Sequence, residues 1–400
     1  MESRTYDQAV SDIMERFARK TGMISSGHKP QRYLWTDAFA VCNFLELHCR
    51  TRQTRYLDLA LDLVNQVHEI LGKHRGDDIR TGWISGLAEP EVRRHPTAGG
   101  LRIGKKMGER KRDQAYDEQL EWDRDGQYYH YLTKWMHALH QVSARTNDPS
   151  YNRWAYELAK KAHAAFGHQD ASGALKRLYW KMSIDLTYPL VSSMGHHDPL
   201  DGFVTFHEIN WQSASQFGVE TPCNLAIEIA ELSKMCKQSS WVTADALGLG
   251  GLLFDAYRVM QMTAKQNGLI DHNILMALLK SSCQGLQVFL NHNNVRSDAN
   301  ARLAFRELGL AIGLHAVANM SATVENLPVL GDDPRVQGML QTLLTIAPLA
   351  ETIEAFWLSP KNRKCESWLA HEDINMVMLA TSLAPGGFLE LKQSNQSDAS

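Results

Sequence analysis

Two kinds of helical segment alternate along this chain at a spacing near 60 residues, and that alternation restricts what it can fold into more than any other feature. One kind is one-sided. Between Tyr56 and Leu71, the residues Leu59, Ala60, Leu63, Val64, Val67, Ile70 and Leu71 recur at three- and four-residue steps, with Asp58, Asp62, Asn65, Gln66 and Glu69 opposite. That is an apolar stripe backed by a solvated face. Asn147-Asp148-Pro149 opens another such helix, because an Asx cap followed by proline at the first helical position is a start signal. Its stripe is Trp154, Ala155, Leu158, Ala159, Ala162 and Phe166, and Gly167 ends it. Similar amphipathic helices are expected at about 6–19, 222–236, 272–291 and 335–357.

The other kind is apolar on more than one face and opens with a polar or aromatic cluster. These segments begin near Tyr33, Asp125, Trp180, Val242, Leu303 and His371. Helices apolar nearly all round are buried on both sides. Acidic anchors at Asp125, Asp185, Asp245, Glu307 and Asp373 follow one another at intervals of 60, 60, 62 and 66 residues, and Asp37 precedes the first by 88. Two helices and two loops fit a period near 60, and the longer interval fits one period plus an insertion. The second anchor also fits at Tyr131. Six inner and six outer helices predict an all-α, closed (α/α)6 toroid, in which the N-terminal helix is the outer partner of the last inner one. An open α-solenoid is the alternative.

Two connections are long. Residues 74–120 form a glycine-rich loop, and 195–220 form another, in which Phe203-Val-Thr-Phe suggests a short β excursion. No stretch has linker composition, so one domain is expected over 1–390, with a frayed polar tail at 391–400. A net charge of −3 argues against nucleic-acid binding. No run of about 18 apolar residues predicts a membrane span. Six scattered cysteines without metal-finger spacing, and an N-terminus without an apolar signal region, predict a cytoplasmic protein with reduced thiols.

In a closed ring the starts of the inner helices share one mouth, where unpaired N–H groups favour carboxylates and hydroxylated or anionic ligands. Asp185 and Asp245 are the expected catalytic pair, because each reads as a carboxylate among apolar neighbours inside a buried helix, and such an acid needs a partner or a raised pKa. Lys181, four residues before Asp185, is the expected partner there. Asp125, Glu307 and Asp373 are the next candidates. Every one of these acids has a plainer role open to it as a helix cap. Trp35, Asp37, Trp122, Tyr128, His130, Tyr188, His197, Arg306, His371 and Arg102 complete the expected substrate-binding set. Aromatic faces beside acids suit a sugar.

Histidine chemistry at His130, His197 or His371 would instead suit proton abstraction beside a carbonyl. Arg306 and Glu307 read as an ion pair. Between 74 and 112 the first loop carries ten basic against five acidic side chains, which points to an anionic group on the substrate if the loop covers the mouth. Gly99-Gly-Leu-Arg-Ile-Gly-Lys-Lys lacks the order of a nucleotide loop. His196, His197, Asp198 and Asp201 have metal-ligating types, but Asp-Pro-Leu-Asp-Gly is also an ordinary turn. No metal or cofactor is expected.

Six alternating hairpins with acids and aromatics at the inner starts resemble the six-hairpin glycosidase superfamily along nearly the whole length, in architecture rather than by a diagnostic motif. That group includes uronide hydrolases and N-acylglucosamine 2-epimerase relatives. Terpene cyclases have a related helical toroid, but their acid and metal motifs are absent. The resemblance implies a carbohydrate-active enzyme acting on a small saccharide. A glycoside hydrolase with paired carboxylates is the first reading. A sugar epimerase or isomerase and a non-catalytic binding protein are the alternatives. The oligomeric state stays open.

Overall fold

The structure is a computed structural model that describes residues 2–24, 29–217, 224–237, 239–266, 270–292 and 297–392. Cys223, the end of the expected 195–220 loop and most of the expected tail lie outside the described residues.

The fold is all-α. In chain order the helices are α1 (Glu2–Lys20), α2 (Leu34–Thr51), α3 (Thr54–Leu71), α4 (Glu91–Arg94), α5 (Glu118–Asp123), α6 (Tyr129–Thr146), α7 (Pro149–Phe166), α8 (Asp198–Phe217) and α9 (Ala226–Cys236). They continue as α10 (Ala246–Gln266), α11 (His272–His292), α12 (Ala304–Glu325), α13 (Pro328–Gly331), α14 (Pro334–Ile346), α15 (Leu349–Leu358), α16 (Glu366–Leu369), α17 (Glu372–Leu383) and α18 (Gly386–Leu389). The strands are β1 (Gln127–Tyr128), β2 (Gly167–Gln169), β3 (Leu175–Leu178), β4 (Lys181–Met182) and β5 (Pro189–Val191).

The chain divides into two compact units. One comprises residues 1–17, 46–52 and 239–391, and the other 18–45, 53–238 and 392–400. In the second unit α6 packs on α7 and α8, and α8 on α9. The periodicity of the amphipathic helices is realised there. Tyr56, Ala60, Leu63, Val64, Val67 and Leu71 of α3 are buried, as are Ala155, Leu158, Ala159, Ala162 and Phe166 of α7. Asp148 caps α7 through the Ser150 N–H at 2.9 Å, ahead of Pro149.

In the first unit α10 packs on α11 and α12, and α12 also meets α14, α15 and α17. Glycine sets the α10–α12 distance. A Cβ at Gly250 would stand 2.0 Å from the Gly309 carbonyl oxygen, and one at Gly313 would stand 2.6 Å from the Gly250 Cα. The residues Val10, Ile13, Met14 and Phe17 of α1 are buried. Arg16 pairs with Glu372, and Asp7 with Arg50 at 2.5 Å.

One inner segment is not where the spacing puts it. Trp180–Val191 is a hairpin of β4 and β5, not a helix, and β4 also pairs with β1. The side chains of Ser183 and Asp185 accept the Thr187 N–H, and Leu186 takes a φ of 61°, so this is a turn closed by its own short polar side chains. The helix comes later, as α8, over residues expected to form a loop. Phe203–Phe206 lies inside it rather than in a β excursion. Asp198-Pro199 is its start signal. Among the described residues no helix is long and apolar enough to cross a membrane.

Candidate functional site

The second unit carries a carboxylate that fixes the first long loop. Asp125 is fully buried. Its Oδ1 accepts the N–H groups of Gly104 at 2.9 Å, Lys105 at 3.2 Å and Gly126 at 3.1 Å. Its Oδ2 accepts Arg102 at 2.8 Å and Arg75 at 3.3 Å. Arg102 is engaged further by the carbonyls of Lys73 and Ile70. Asp125 and Arg102, expected at a substrate mouth, are therefore the internal fastening of the loop. Gly104 sits at a φ of 95°, where a Cβ would meet the Arg32 carbonyl oxygen at 2.2 Å, so only glycine passes this point without strain.

That fastening, together with the β1–β4 pairing, assembles a shelf of rings. The pairing sets Tyr128 opposite Lys181. Tyr128 stacks on Trp180 with centroids 5.3 Å apart, and half-exposed Trp122 meets Trp180 edge-on at 5.0 Å. On its other side Tyr128 stacks on His130 at 5.7 Å and meets Tyr131 at 5.1 Å. The hydroxyls of Tyr131 and Tyr33 are 2.6 Å apart, and Trp35 lies 6.4 Å from Tyr131 between centroids. Burial raises the Tyr33 phenol to about 12 and pushes Tyr128 and Tyr131 above their ordinary value, so all three are neutral donors at physiological pH.

Lys181 is buried and donates to the carbonyls of Glu121 and Arg124 at 2.6 and 2.9 Å, with the Glu121 carboxylate at 3.3 Å. It is the partner of Glu121 and not of Asp185. Asp185 instead takes Arg80 at 2.9 Å, Ser183 at 2.7 Å and Thr187 at 2.7 Å. Partial burial raises its pKa, but those bonds outweigh it and hold the carboxyl below its ordinary value. Tyr188 donates to the Arg110 carbonyl and carries Arg112 over its ring at 4.6 Å. Asp37, in the first turn of α2, accepts the Tyr33 N–H at 2.9 Å with Arg32 at 3.5 Å.

At the end of the shelf nearest α8 stand two titratable groups with opposite shifts. His130, in the first turn of α6, is about a third exposed, and its Nδ1 faces the Asp198 Oδ1 at 3.9 Å. Burial among its ring neighbours lowers the imidazole to about 4. Asp198, at the start of α8, is 4% exposed. Burial first, and then the charge of Asp201, raises its carboxyl to about 7. Asp201 is held by Thr133 and Lys134, each at 2.6 Å. Two neighbouring groups driven apart in this way can divide base and acid roles between them. The His197 ring lies 4.6 Å from that of His196. Among the described residues no group of three or more His, Cys, Asp or Glu side chains is placed to hold a metal ion.

The remaining expected residues belong to the first unit. Asp245 precedes α10 and accepts the Gly248 N–H at 2.8 Å, so it caps the helix rather than sitting inside it. Its side chain is more than a third exposed and pairs with Arg306. Glu307 pairs with Arg302 and accepts the Trp357 indole N–H at 2.8 Å, which replaces the expected Arg306–Glu307 pair. His371 and Asp373 flank the start of α17, with the exposed His371 ring 5.4 Å from Phe305.

Of the residues expected from the sequence, Trp35, Trp122, Tyr128 and His130 stand together on this shelf, joined by Tyr33, Tyr131 and Trp180, which the expected set does not include, and by Asp198, for which the sequence suggests a metal or turn role. The Asp198-Pro199 pair that opens α8, seven residues past the end of β5, is the available clue.

No family model matches the sequence, and no curated protein matches it. Among solved structures the chain is similar to a cellobiose 2-epimerase from Bacillus thermoamylovorans, with a TM-score of 0.44 and 9% identity over 80% of this chain and 76% of that one. It is likewise similar to a cellobiose 2-epimerase from Spirochaeta thermophila, with a TM-score of 0.46 and 9% identity over 88% of this chain and 86% of that one.

Proposed function

We propose that this chain is a carbohydrate-active enzyme that moves a proton at a sugar carbon, an epimerase or isomerase, with His130 as the base. The observation that carries this reading is the pairing of His130 with Asp198 at the edge of the aromatic shelf, 3.9 Å apart and shifted in opposite directions. In the open-chain form of a reducing sugar the C–H beside the carbonyl is the acidic one. A neutral imidazole removes that proton and leaves an enediolate, whose oxygen accepts hydrogen bonds from the neutral phenols. The imidazolium then returns the proton to the other face of the same carbon, once the enediolate has rotated to present that face, which epimerises it, or to the neighbouring carbon, which isomerises the sugar. Half-exposed Trp122 and partly exposed Trp180 supply flat apolar faces for the sugar, backed by buried Tyr128, and neutral phenols supply hydroxyl donors.

Asp198 acts through the histidine. Ionised, it favours through its charge the tautomer with the proton on Nδ1, which faces it at 3.9 Å, and leaves Nε2 as the base. Protonated, it favours the opposite tautomer, whose Nε2 carries a proton and cannot accept one. A paired-carboxylate glycosidase has less support, because Asp185 and Asp245 each already hold an arginine.

The test is incubation of the full chain with a panel of reducing sugars in heavy water. Deuterium at the carbon beside the carbonyl, with no bond cleaved, is the expected result, and His130→Asn should slow it by about 10²–10⁴-fold. New reducing ends released from a disaccharide without C–H exchange would restore the glycosidase reading and overturn this one.

A further inference from the structure

Resting on that reading, we infer that Lys105 selects sugars bearing an anionic group, a carboxylate or a phosphate, at the Tyr33 end of the shelf. The inference follows from what the loop's other cations do. Arg75 and Arg102 answer Asp125. Arg80 holds Asp78, Glu109 and Asp185, and Arg110 holds Glu121. Arg93 and Arg94 pair with Glu89 and Glu91 on the surface. Lys106, Lys111 and Arg112 are exposed.

Lys105 differs from all of these. It is half-buried, and among the described residues no carboxylate comes within ion-pair distance of its ammonium, although the charges of Asp123 and Asp125 reach it from further off. Its backbone is fixed on both sides. The N–H is bound by Asp125 and the carbonyl by Arg75, so the residue is held at the shelf. The ammonium stands over the Tyr33 ring, 5.4 Å from its centroid. Tyr33 meets Tyr131, and Tyr131 meets His130 at 4.7 Å, so the cation lies two ring contacts from the proposed base.

An ammonium drawn partly out of water without a counter-ion is destabilised, and a bound anion removes that cost. A lysine offers a point charge with rotatable donors rather than a planar fork, which suits a carboxylate or a phosphate equally. The Tyr33–Tyr131 hydroxyl pair beside it can donate to the same anion.

The experiment titrates the full chain with glucose, glucuronate and glucose 6-phosphate by calorimetry, and measures deuterium exchange on the same three sugars. At least one anion should bind about tenfold or more tightly than glucose, with the advantage shrinking as salt rises. Lys105→Gln should bring the ratio close to one, and Lys105→Arg should retain part of it. Preference for glucuronate alone identifies a carboxylate, and for glucose 6-phosphate alone a phosphate. An anion preference that survives in Lys105→Gln, or glucose bound and exchanged as well as both anions, overturns the inference and leaves the proton-transfer reading standing. If none of the three exchanges deuterium while both anions still bind through Lys105, the proton-transfer reading fails instead.

Discussion

Asp198 makes the molecule's pH behaviour testable at a single atom pair. Its carboxyl is raised from 3.8 to about 7 in the folded chain. As pH climbs past 4 the unfolded chain gives up this proton while the folded chain keeps it, so the folded state loses ground until pH passes about 7. Linkage puts the total at roughly 3–5 kcal/mol. Asn at this position keeps an acceptor for the Gly195 N–H and removes the titration. Melting of Asp198→Asn against the parent should therefore show the variant gaining stability from pH 5 to pH 8. An unchanged difference would mean that Asp198 is ionised throughout. The histidines push the other way. His68, His130 and His207 are lowered by burial to about 3, 4 and 4, so the stability they confer is present above 6.5 and fades as acid approaches those values. That loss is common to both proteins and largely cancels in the comparison. The same carboxyl governs the proposed reaction. The exchange rate should rise with pH through an apparent pKa near 7, and Asp198→Asn should remove that limb of the profile.

At the scale of elements, packing and propensity disagree in a useful place. Gly to Ala inside a helix stabilises it by up to about 1 kcal/mol on propensity alone. Gly338, on the exposed side of α14, has nothing within 4 Å of an added Cβ, so Gly338→Ala should follow that rule. Gly250 lies against the Gly309 carbonyl, and Gly250→Ala should instead lower the urea midpoint, by an amount equivalent to about 1–3 kcal/mol. Equal effects from the two substitutions would show that α10 and α12 are not so close.

This is also the scale at which sequence reading succeeded and failed. Stripes such as Tyr56–Leu71 were legible because burial of one helix face leaves a periodic mark. The helix near 200 escapes the sequence pattern because Asp185 satisfies the 60-residue spacing by coincidence, while Asp198-Pro199, which resembles Asp148-Pro149 but lies one position further into its helix, also fits a turn. The shelf was half legible. Tyr128 and His130 are neighbours in the chain. Trp180 and Lys105 reach them only through strand pairing and the fastening of a loop on a buried carboxylate, and neither leaves a periodic trace. Asp125 looked like a site acid for the same reason, since a buried carboxylate reads alike whether it serves a substrate or a loop.

At the scale of the whole molecule, the first unit is discontinuous. It takes residues 1–17 from one end of the sequence and 239–391 from the other. The buried residues Val10, Ile13, Met14 and Phe17 each contribute roughly 1.5–3 kcal/mol by leaving water. Deleting residues 2–17 should therefore raise amide hydrogen exchange at least tenfold in α17, whose Glu372 pairs with Arg16. Exchange in α17 that stays at the parent rate would separate α1 from this unit.

The same discontinuity bears on how the chain is made. At roughly 5–20 residues per second, the ribosome needs about 20–75 s to travel from the end of α1 to residue 391. For that interval the apolar stripe of the first helix has no finished surface to cover it. Slower synthesis lengthens the time for which that stripe waits for its cover.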